Sequence, residues 1–316
     1  MGKNQLLALG AILVFATSVP AHAMVFGTDH RLDYDQISNS AMRSLARSVF
    51  TFVLKKNLVP TPDGHYRFAK HDTLQKALGL CPDQRFGEQT SVPTRCSGFL
   101  VSSDSGVTAG HCVSPTQVRD FCKNYFIVFD RYMHSDGRAP LALSRSSVYE
   151  CDRISSLVFN PNGGRSDDYA ILHFSRRVTH RPALKYRRTG KLADHAGVFM
   201  IGYPRGLPAK FSLDRKVSNN TDPSYFSADL DCFHGNSGSP VFNSRTLEVE
   251  GIFVRGGGSF PGDTVTDPEM IGDFVQDPAK KCWRTLVCHR GPACTATMDS
   301  TRITRVPLPA EPNHAS

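Results

Sequence analysis

Three short segments of the chain carry residue types that together can transfer an acyl group. They read Thr-Ala-Gly-His-Cys at residues 108–112, Asp-Tyr-Ala-Ile-Leu at residues 168–172 and Gly-Asn-Ser-Gly-Ser-Pro at residues 235–240. A serine hydroxyl is a weak nucleophile at neutral pH, so it needs a base within hydrogen-bond reach and an acceptor that fixes the tautomer of that base. His111, Asp168 and Ser237 are the candidate base, acid and nucleophile.

Glycines stand on both sides of the candidate nucleophile and allow the chain to turn tightly there. Such a turn brings the N–H groups of Gly235 and Ser237 into one small space, where they would form an oxyanion hole. Ser239, two residues after Ser237, is expected to be structural.

Two aspartates compete for the role of the acid. Asp168 directly precedes the apolar run at residues 169–172, whereas Asp167 is one residue further from it. Neighbouring side chains of a strand point to opposite faces, so only one of the two faces the histidine. We favour Asp168, because a carboxylate at the start of a buried strand is shielded from water and holds His111 more strongly.

These motifs resemble those of the trypsin-like serine peptidases, and within that family those of the bacterial glutamyl-endopeptidase-like branch. Residues 96–101, which lead into residues 108–112, look like the family's segment for the catalytic histidine, and residues 235–241 look like its nucleophile segment. Residues 26–31 are similar to the stretch near the mature N-terminus of the bacterial branch. The order His, Asp, Ser also agrees with the family.

The resemblance implies an all-β chain with two antiparallel six-stranded β-barrels of the chymotrypsin-like fold. His111 and Asp168 would come from the first barrel and Ser237 from the second, with the site in the cleft between the barrels. A disulfide between Cys96 and Cys112, which flank the histidine segment, is implied in the same way.

The composition along the chain predicts five parts. These are a signal peptide, an N-terminal extension packed on the first barrel, the two barrels and a cysteine-containing tail, at residues 1–23, 24–95, 96–185, 186–276 and 277–316. From residue 96 onward, short β-type runs separated by turn residues favour a barrel or a sandwich. Within the extension, apolar residues near helical spacing at 37–53 predict a helix that runs into a strand.

The N-terminal residues have the pattern of a secretory signal peptide. Lys3 precedes an apolar stretch at residues 6–19, and Pro20 and a small-residue triplet that ends at Ala23 follow it. Cleavage near Ala23 would release the mature chain into the periplasm or the medium. No later segment is long and apolar enough to predict a membrane span.

Nine cysteines in an exported chain predict a disulfide framework with one cysteine left over. Cys122 with Cys151 is a second candidate pair. Cysteines of an exported tail are more often disulfides than zinc ligands, so we predict no metal. The alternative is a zinc cluster at Cys282, Cys288, His289 and Cys294.

The formal charge of the chain is +8 at pH 7. Lysines and arginines are scattered rather than gathered into one tract, and this does not favour binding to nucleic acid. We therefore expect no nucleic-acid partner. We also expect a monomer that acts on a protein or peptide substrate without a cofactor.

Two functions other than peptide hydrolysis fit part of the His, Asp and Ser motif pattern. Esterases also use Ser-His-Asp chemistry, but the nucleophile elbow of α/β-hydrolases has glycine where Ser239 stands, and their order is Ser, Asp, His. A catalytically inactive binding protein on a protease scaffold is expected to lack a triad residue, and none is missing here.

Four residues suggest the substrate preference. Asp231 lies six residues before Ser237, where trypsin-group enzymes have the acid that binds Lys or Arg, so this resemblance implies cleavage after basic residues. Glutamyl endopeptidases carry a histidine where Phe253 stands, and an apolar ring cannot pair with a buried carboxylate. Arg255, which should share a face with Phe253, would restore acid binding. His234 is close enough to Ser237 to line the pocket.

Asn236 stands where trypsin-like zymogens carry an aspartate that pairs with a newly freed amino terminus. A neutral amide gains little from a buried ammonium. We therefore predict that the oxyanion hole forms without that activation switch.

Overall fold

The computed structural model describes residues 24–113, 118–160, 167–257, 270–289, 291 and 294–309, and the predicted signal peptide lies outside them. The strands are β1 Val25–Phe26, β2 Arg31–Asp33, β3 Val49–Leu54, β4 Leu58–Pro60, β5 His65–Phe68, β6 Asp72–Thr73, β7 Thr90–Ser91, β8 Arg95–Leu100, β9 Ser105–Thr108, β10 Tyr125–Val128, β11 Ala142–Ser144, β12 Val148–Val158, β13 Tyr169–Phe174, β14 Gly197–Gly202, β15 Lys210–Asn219, β16 Tyr225–Ala228, β17 Pro240–Asn243, β18 Val249–Gly257, β19 Met270–Ile271, β20 Phe274–Asp277, β21 Cys282–Thr285, β22 Val287–Cys288 and β23 Thr297–Arg302.

Helices are few and short in the described residues. The α-helices are α1 Ser40–Ala46, α2 Leu74–Leu78 and α3 Val118–Asn124. Single 3₁₀ turns occur at Tyr34–Gln36, Lys55–Asn57, Gly110–Cys112, Arg145–Ser147, Pro204–Gly206 and Ile303–Arg305. In the part of the chain that the structure describes, no helix is long and apolar enough to cross a membrane.

Six strands close the first barrel in the order β10-β12-β13-β9-β8-β3, and each pairing is antiparallel. Aromatic rings fill its interior: Phe50 lies edge-on to Phe52 at 5.4 Å and to Phe129 at 5.3 Å between ring centroids. Gly98 and Gly106 make room for Phe50, since a Cβ at Gly98 would come within 2.2 Å of its ring. This packing fixes β8 and β9, the strands that lead to His111.

The second barrel closes in the order β14-β17-β18-β23-β16-β15, because β15 also pairs with β14. All of these pairings are antiparallel, and β2 adds to the outer edge of β15. The predicted fold of two six-stranded antiparallel barrels is therefore confirmed.

Two barrel strands come from parts of the chain that the sequence analysis did not assign to the barrels. Strand β3 falls in the predicted extension, yet it pairs with β8 and β10 as a full member of the first barrel. Strand β23 falls in the predicted tail, yet it lies between β16 and β18 of the second barrel. Asp299 of this strand is fully buried, and the Ser227 hydroxyl donates to its Oδ1 at 2.7 Å.

The rest of the extension forms short elements on the surface of the barrels. Strands β4 and β5 of the extension make a three-stranded sheet with β11, which comes from the part assigned to the first barrel, and β6 pairs with β7. The predicted helix that runs into a strand at residues 37–53 corresponds to α1 followed by β3.

Eight of the nine cysteines form disulfides. The Cys96–Cys112 pair is present as the resemblance implied, and Cys122 is joined to Cys151. Cys81–Cys282 and Cys288–Cys294 use the three tail cysteines of the alternative zinc cluster, so their sulfurs are not metal ligands. Cys232 is the unpaired cysteine and is fully buried; burial raises the pKa of its thiol.

Candidate active site

His111 and Asp168 meet at the edge of the first barrel. The imidazole Nδ1 lies 2.8 Å from Asp168 Oδ2, and the His111 backbone N–H donates to Asp168 Oδ1 at 3.0 Å. The carboxylate is 6% exposed and the imidazole 29%. Because a carboxylate only accepts hydrogen bonds, Nδ1 carries the proton and Nε2 is left as the basic nitrogen of the neutral ring.

The glycine before His111 allows this close approach. A Cβ at Gly110 would lie 2.2 Å from the carbonyl of Val158 and 3.1 Å from Asp168 Oδ1. The 3₁₀ turn Gly110–Cys112 can therefore sit directly against β12 and the start of β13 only with glycine at this position.

The two adjacent aspartates take different directions. Asp167 faces Arg305, whose guanidinium Nη2 lies 2.9 Å from Asp167 Oδ2, and the hydrogen bonds and charge of Asp167 raise the pKa of Arg305. Thr301 lies beside the backbone of Asp168, with its hydroxyl 3.3 Å from both the N–H and the carbonyl. Of the two carboxylates, the structure places that of Asp168 against the histidine.

Ser237 lies in the turn between β16 and β17, and this turn packs on the histidine segment. Gly235 and Gly238 adopt positive φ angles of 102° and 87°. A Cβ at Gly238 would lie 2.1 Å from the carbonyl of Ser97, so only glycine fits. The Ser237 carbonyl is 3.7 Å from the sulfur of Cys112, the residue after His111.

Between these described residues there is no hydrogen bond from the Ser237 hydroxyl to the His111 ring. In ligand-free enzymes such bonds are often long and tighten only when substrate binds. The turn that carries Ser237 therefore packs against the histidine segment. The contact that remains to be made is the hydrogen bond from the Ser237 hydroxyl to the His111 ring.

The N–H groups of Gly235 and Ser237 make no hydrogen bond to any other described residue. The carbonyls of the same peptide units are held, since His234 accepts from the Arg205 N–H at 2.6 Å and Asn236 accepts from the Ser239 N–H at 2.9 Å. The N–H and C=O of a trans peptide point in opposite directions. Both N–H groups therefore point away from these anchors.

Asp231 is not positioned as the specificity prediction required. It is fully buried, and its carboxylate accepts from the N–H groups of Phe26 at 2.8 Å and His30 at 3.0 Å. Its Oδ2 also pairs with the guanidinium of Arg215. These donors occupy both oxygens, so the prediction that Asp231 anchors a Lys or Arg side chain of the substrate is corrected: Asp231 binds the N-terminal segment.

Phe253 and Arg255 are both engaged within the second barrel. Phe253 is 4% exposed and packs in the barrel core, while its backbone pairs with Gly238 and Ser239 of the nucleophile turn. The Nε of Arg255 lies 3.6 Å from the buried Oδ2 of Asp299. An acidic substrate group would therefore have to share Arg255 with a carboxylate already in place.

His234 is the one predicted pocket residue with a largely exposed side chain, at 47%. Its Nδ1 and backbone N–H both contact the carboxylate of Asp273, which is fully buried and also pairs with Arg205. The sequence analysis did not identify Asp273 and Arg205. Asp273 lies 39 residues from His234 and 68 residues from Arg205 in the chain. Nothing in the local sequence marks such contacts.

Residues 96–252 match the family described as trypsin-like peptidase domain. Among solved structures, the Glu endopeptidase in complex with MPD is similar with a TM-score of 0.47 and 14% identity, covering 76% of this chain and 90% of that one.

The Vibrio cholerae VesB protease has a TM-score of 0.47 and 13% identity, covering 87% of this chain and 64% of that one. The serine endoprotease from Yersinia pestis has a TM-score of 0.40 and 15% identity, covering 69% and 58%. The chain thus spans less than two thirds of the length of these two proteins. The family match includes all three motifs, and residues 96–252 of this chain belong to the trypsin-like peptidase domain family.

Proposed function

We propose that this chain is a serine endopeptidase that hydrolyses peptide bonds through His111, Asp168 and Ser237. The observation that carries the proposal is the hydrogen bond between His111 Nδ1 and Asp168 at 2.8 Å, on an edge against which the Ser237 turn packs. The family match supports a peptidase, and the residues supply the groups that the chemistry needs.

In this mechanism His111 Nε2 takes the proton of the Ser237 hydroxyl as the serine oxygen attacks the substrate carbonyl. The N–H groups of Gly235 and Ser237 hold the oxyanion of the tetrahedral intermediate. His111 then gives its proton to the leaving amine, and the C–N bond breaks to leave an acyl-enzyme. A water molecule attacks the ester in the same way and releases the acid, while Asp168 stabilises the imidazolium in both steps.

The proposal extends to the compartment. Four disulfides suit a chain that folds in an oxidising environment, and residues 1–23 have the pattern of a signal peptide. We propose that the protein is secreted or periplasmic after cleavage near Ala23.

The test is hydrolysis of an internally quenched peptide library, with the cleavage sites mapped by mass spectrometry. We expect cuts inside the peptides, and a fall of about 10⁶-fold in turnover for Ser237→Ala. Ser239→Ala is the matched control, because this buried serine lies two residues away and should leave turnover unchanged. Hydrolysis of a nitrophenyl ester without any peptide cleavage would favour an esterase, and no turnover of either would favour an inactive binding protein.

A further inference from the structure

Ser97 lies on β8 of the first barrel and is fully buried against the nucleophile turn of the second. Its backbone N–H donates to the carbonyl of Ser237 at 2.7 Å. Its hydroxyl donates to the carbonyl of Gly235 at 2.8 Å and accepts from the N–H of Tyr203 at 2.9 Å. One side chain of the first barrel thus joins two separate loops of the second.

The loop that contains Tyr203, at residues 203–206, has an unusual backbone conformation. Arg205 has φ 48° and ψ 31°, in the left-handed region that non-glycine residues rarely adopt. Gly206 follows, where a Cβ would lie 1.8 Å from the carbonyl of Val92, and the Ser91 hydroxyl donates to the Arg205 carbonyl at 2.6 Å. Such a conformation persists only where the surroundings fix it.

This loop holds the peptide unit between His234 and Gly235. The orientation of that unit decides whether the Gly235 N–H can contribute to an oxyanion hole. The Arg205 N–H donates to the carbonyl of His234 at 2.6 Å, which turns the N–H of Gly235 the other way. If that peptide reversed, the His234 carbonyl would point where the oxyanion must bind. Asn236 cannot hold this turn by pairing with a buried ammonium as an aspartate would, so another device must do so.

We propose that Ser97 is a positioning residue that keeps the oxyanion hole formed in the free protein, through the hydroxyl bridge from Tyr203 to Gly235. The proposal rests on the proposed peptidase function and goes beyond it by naming what orients the hole. Ser97 itself does not touch the substrate; it holds the carbonyls of Gly235 and Ser237, which lie in the peptide units directly after the two N–H groups of the hole.

The first test compares Ser97→Ala with Ser48→Ala. Ser48 is a matched control because it is also fully buried on the first barrel and donates its hydroxyl to a carbonyl, that of Pro182, at 2.5 Å. We expect kcat of Ser97→Ala to fall by about 10- to 100-fold, since a small misplacement of catalytic groups costs this much, with KM within about twofold of the parent. Equal kinetics of the two variants would overturn the proposal.

A second readout separates positioning from general loss of stability. A peptide trifluoromethyl ketone forms a hemiketal whose oxyanion lies in the hole, so its affinity should fall by the same factor as kcat/KM in Ser97→Ala. The affinity of a non-covalent product peptide should not change. A similar fall for both ligands would show a structural role only.

A third measurement needs no variant and stands even if Ser97→Ala does not fold. In the ligand-free parent protein, the amide protons of Tyr203 and Arg205 should exchange as slowly as those of the barrel strands. Exchange at the rate of an open loop would show that the bridge is absent and would overturn the proposal. Failure of the peptidase proposal is distinct, because the parent would then hydrolyse no peptide at all.

Discussion

At the scale of single residues, Asp168 and Asp167 form a natural pair of matched variants. Asp168→Asn removes the acceptor that fixes the tautomer of His111, so we expect turnover to fall by about 10⁴-fold. Asp167→Asn removes an ion pair to a half-exposed Arg305, and such pairs contribute about 1 kcal/mol or less. Measurement of kcat/KM and thermal midpoint for both variants checks this. A larger loss of turnover in Asp167→Asn would reverse the assignment.

Asp231 gives a prediction about stability instead of specificity. Asp231→Ala removes the buried carboxylate that pairs with the largely buried guanidinium of Arg215, which keeps only the carbonyls of Phe26 and Thr28, so we expect the free energy of unfolding to fall by about 3–5 kcal/mol. The ratio of cleavage rates for Arg and Glu peptides should stay the same. Urea unfolding and peptide assays check both parts, and the double variant Asp231→Ala with Arg215→Ala should recover part of the loss. Selective loss of Arg cleavage in a stable variant would restore the pocket role.

The difference between the predicted and observed roles of Asp231 has a physical origin. His111, Asp168 and Ser237 could be nominated because each lies in a short motif of adjacent residues, and two of these motifs include glycines that have no room for a Cβ, Gly110 and Gly238. The partners of Asp231 in the N-terminal segment lie 201 and 205 residues away in the chain. A count from the nucleophile gives the position of a carboxylate but not the donors that occupy it.

At the scale of elements, the N-terminal segment before β2 is fastened by an ion cluster that should respond to acid. Burial would raise the pKa of Asp29, but the hydrogen bonds and charge of Arg31, with the charge of Arg85, outweigh it and lower the pKa below 3.8. Because the folded pKa is depressed, this stabilisation is present above the usual pKa and is lost as pH falls through the folded value.

We therefore expect the free energy of unfolding of the parent to fall below about pH 3.8, and to fall less steeply in Asp29→Asn. Urea unfolding at a series of pH values, followed by the fluorescence of the single tryptophan, Trp283, measures both slopes. Asp136→Asn, at an exposed loop position, serves as control and should follow the parent. Identical slopes for the parent and Asp29→Asn would contradict the role of this cluster.

Barrel strands could be predicted from the sequence where a run of apolar residues marks them. They were assigned to the wrong part of the chain where only pairing with distant strands defines them. The apolar run of β13 directly follows Asp168 and was recognisable in the sequence. Strand β23 contains Asp299, Ser300 and Thr301 and was assigned to the cysteine-containing tail, but it pairs with β16 and β18 of the second barrel. Asp299 accepts from the Ser227 hydroxyl and the Thr301 hydroxyl donates to the Asp168 carbonyl, and the sequence does not show these distant partners.

At the scale of the whole molecule, two disulfides differ mainly in the length of chain that they close. Cys81–Cys282 spans 201 residues and joins the extension to the tail, whereas Cys288–Cys294 spans 6. Chain entropy predicts that replacing both cysteines by serine costs about 5 kcal/mol for the long loop and about 2 kcal/mol for the short one. Urea unfolding of the two double variants checks the order, and a larger loss for the short loop would contradict it.

The most direct test of the central claim is covalent labelling of the folded protein with a serine-directed fluorophosphonate, followed by mapping of the modified peptide. The proposed triad predicts one label per chain, located on Ser237, and no label after denaturation, because only an activated serine reacts. His111→Ala should abolish the reaction, whereas Ser239→Ala should leave it intact. Labelling of another residue, or labelling that survives in Ser237→Ala, would contradict the assignment of this site.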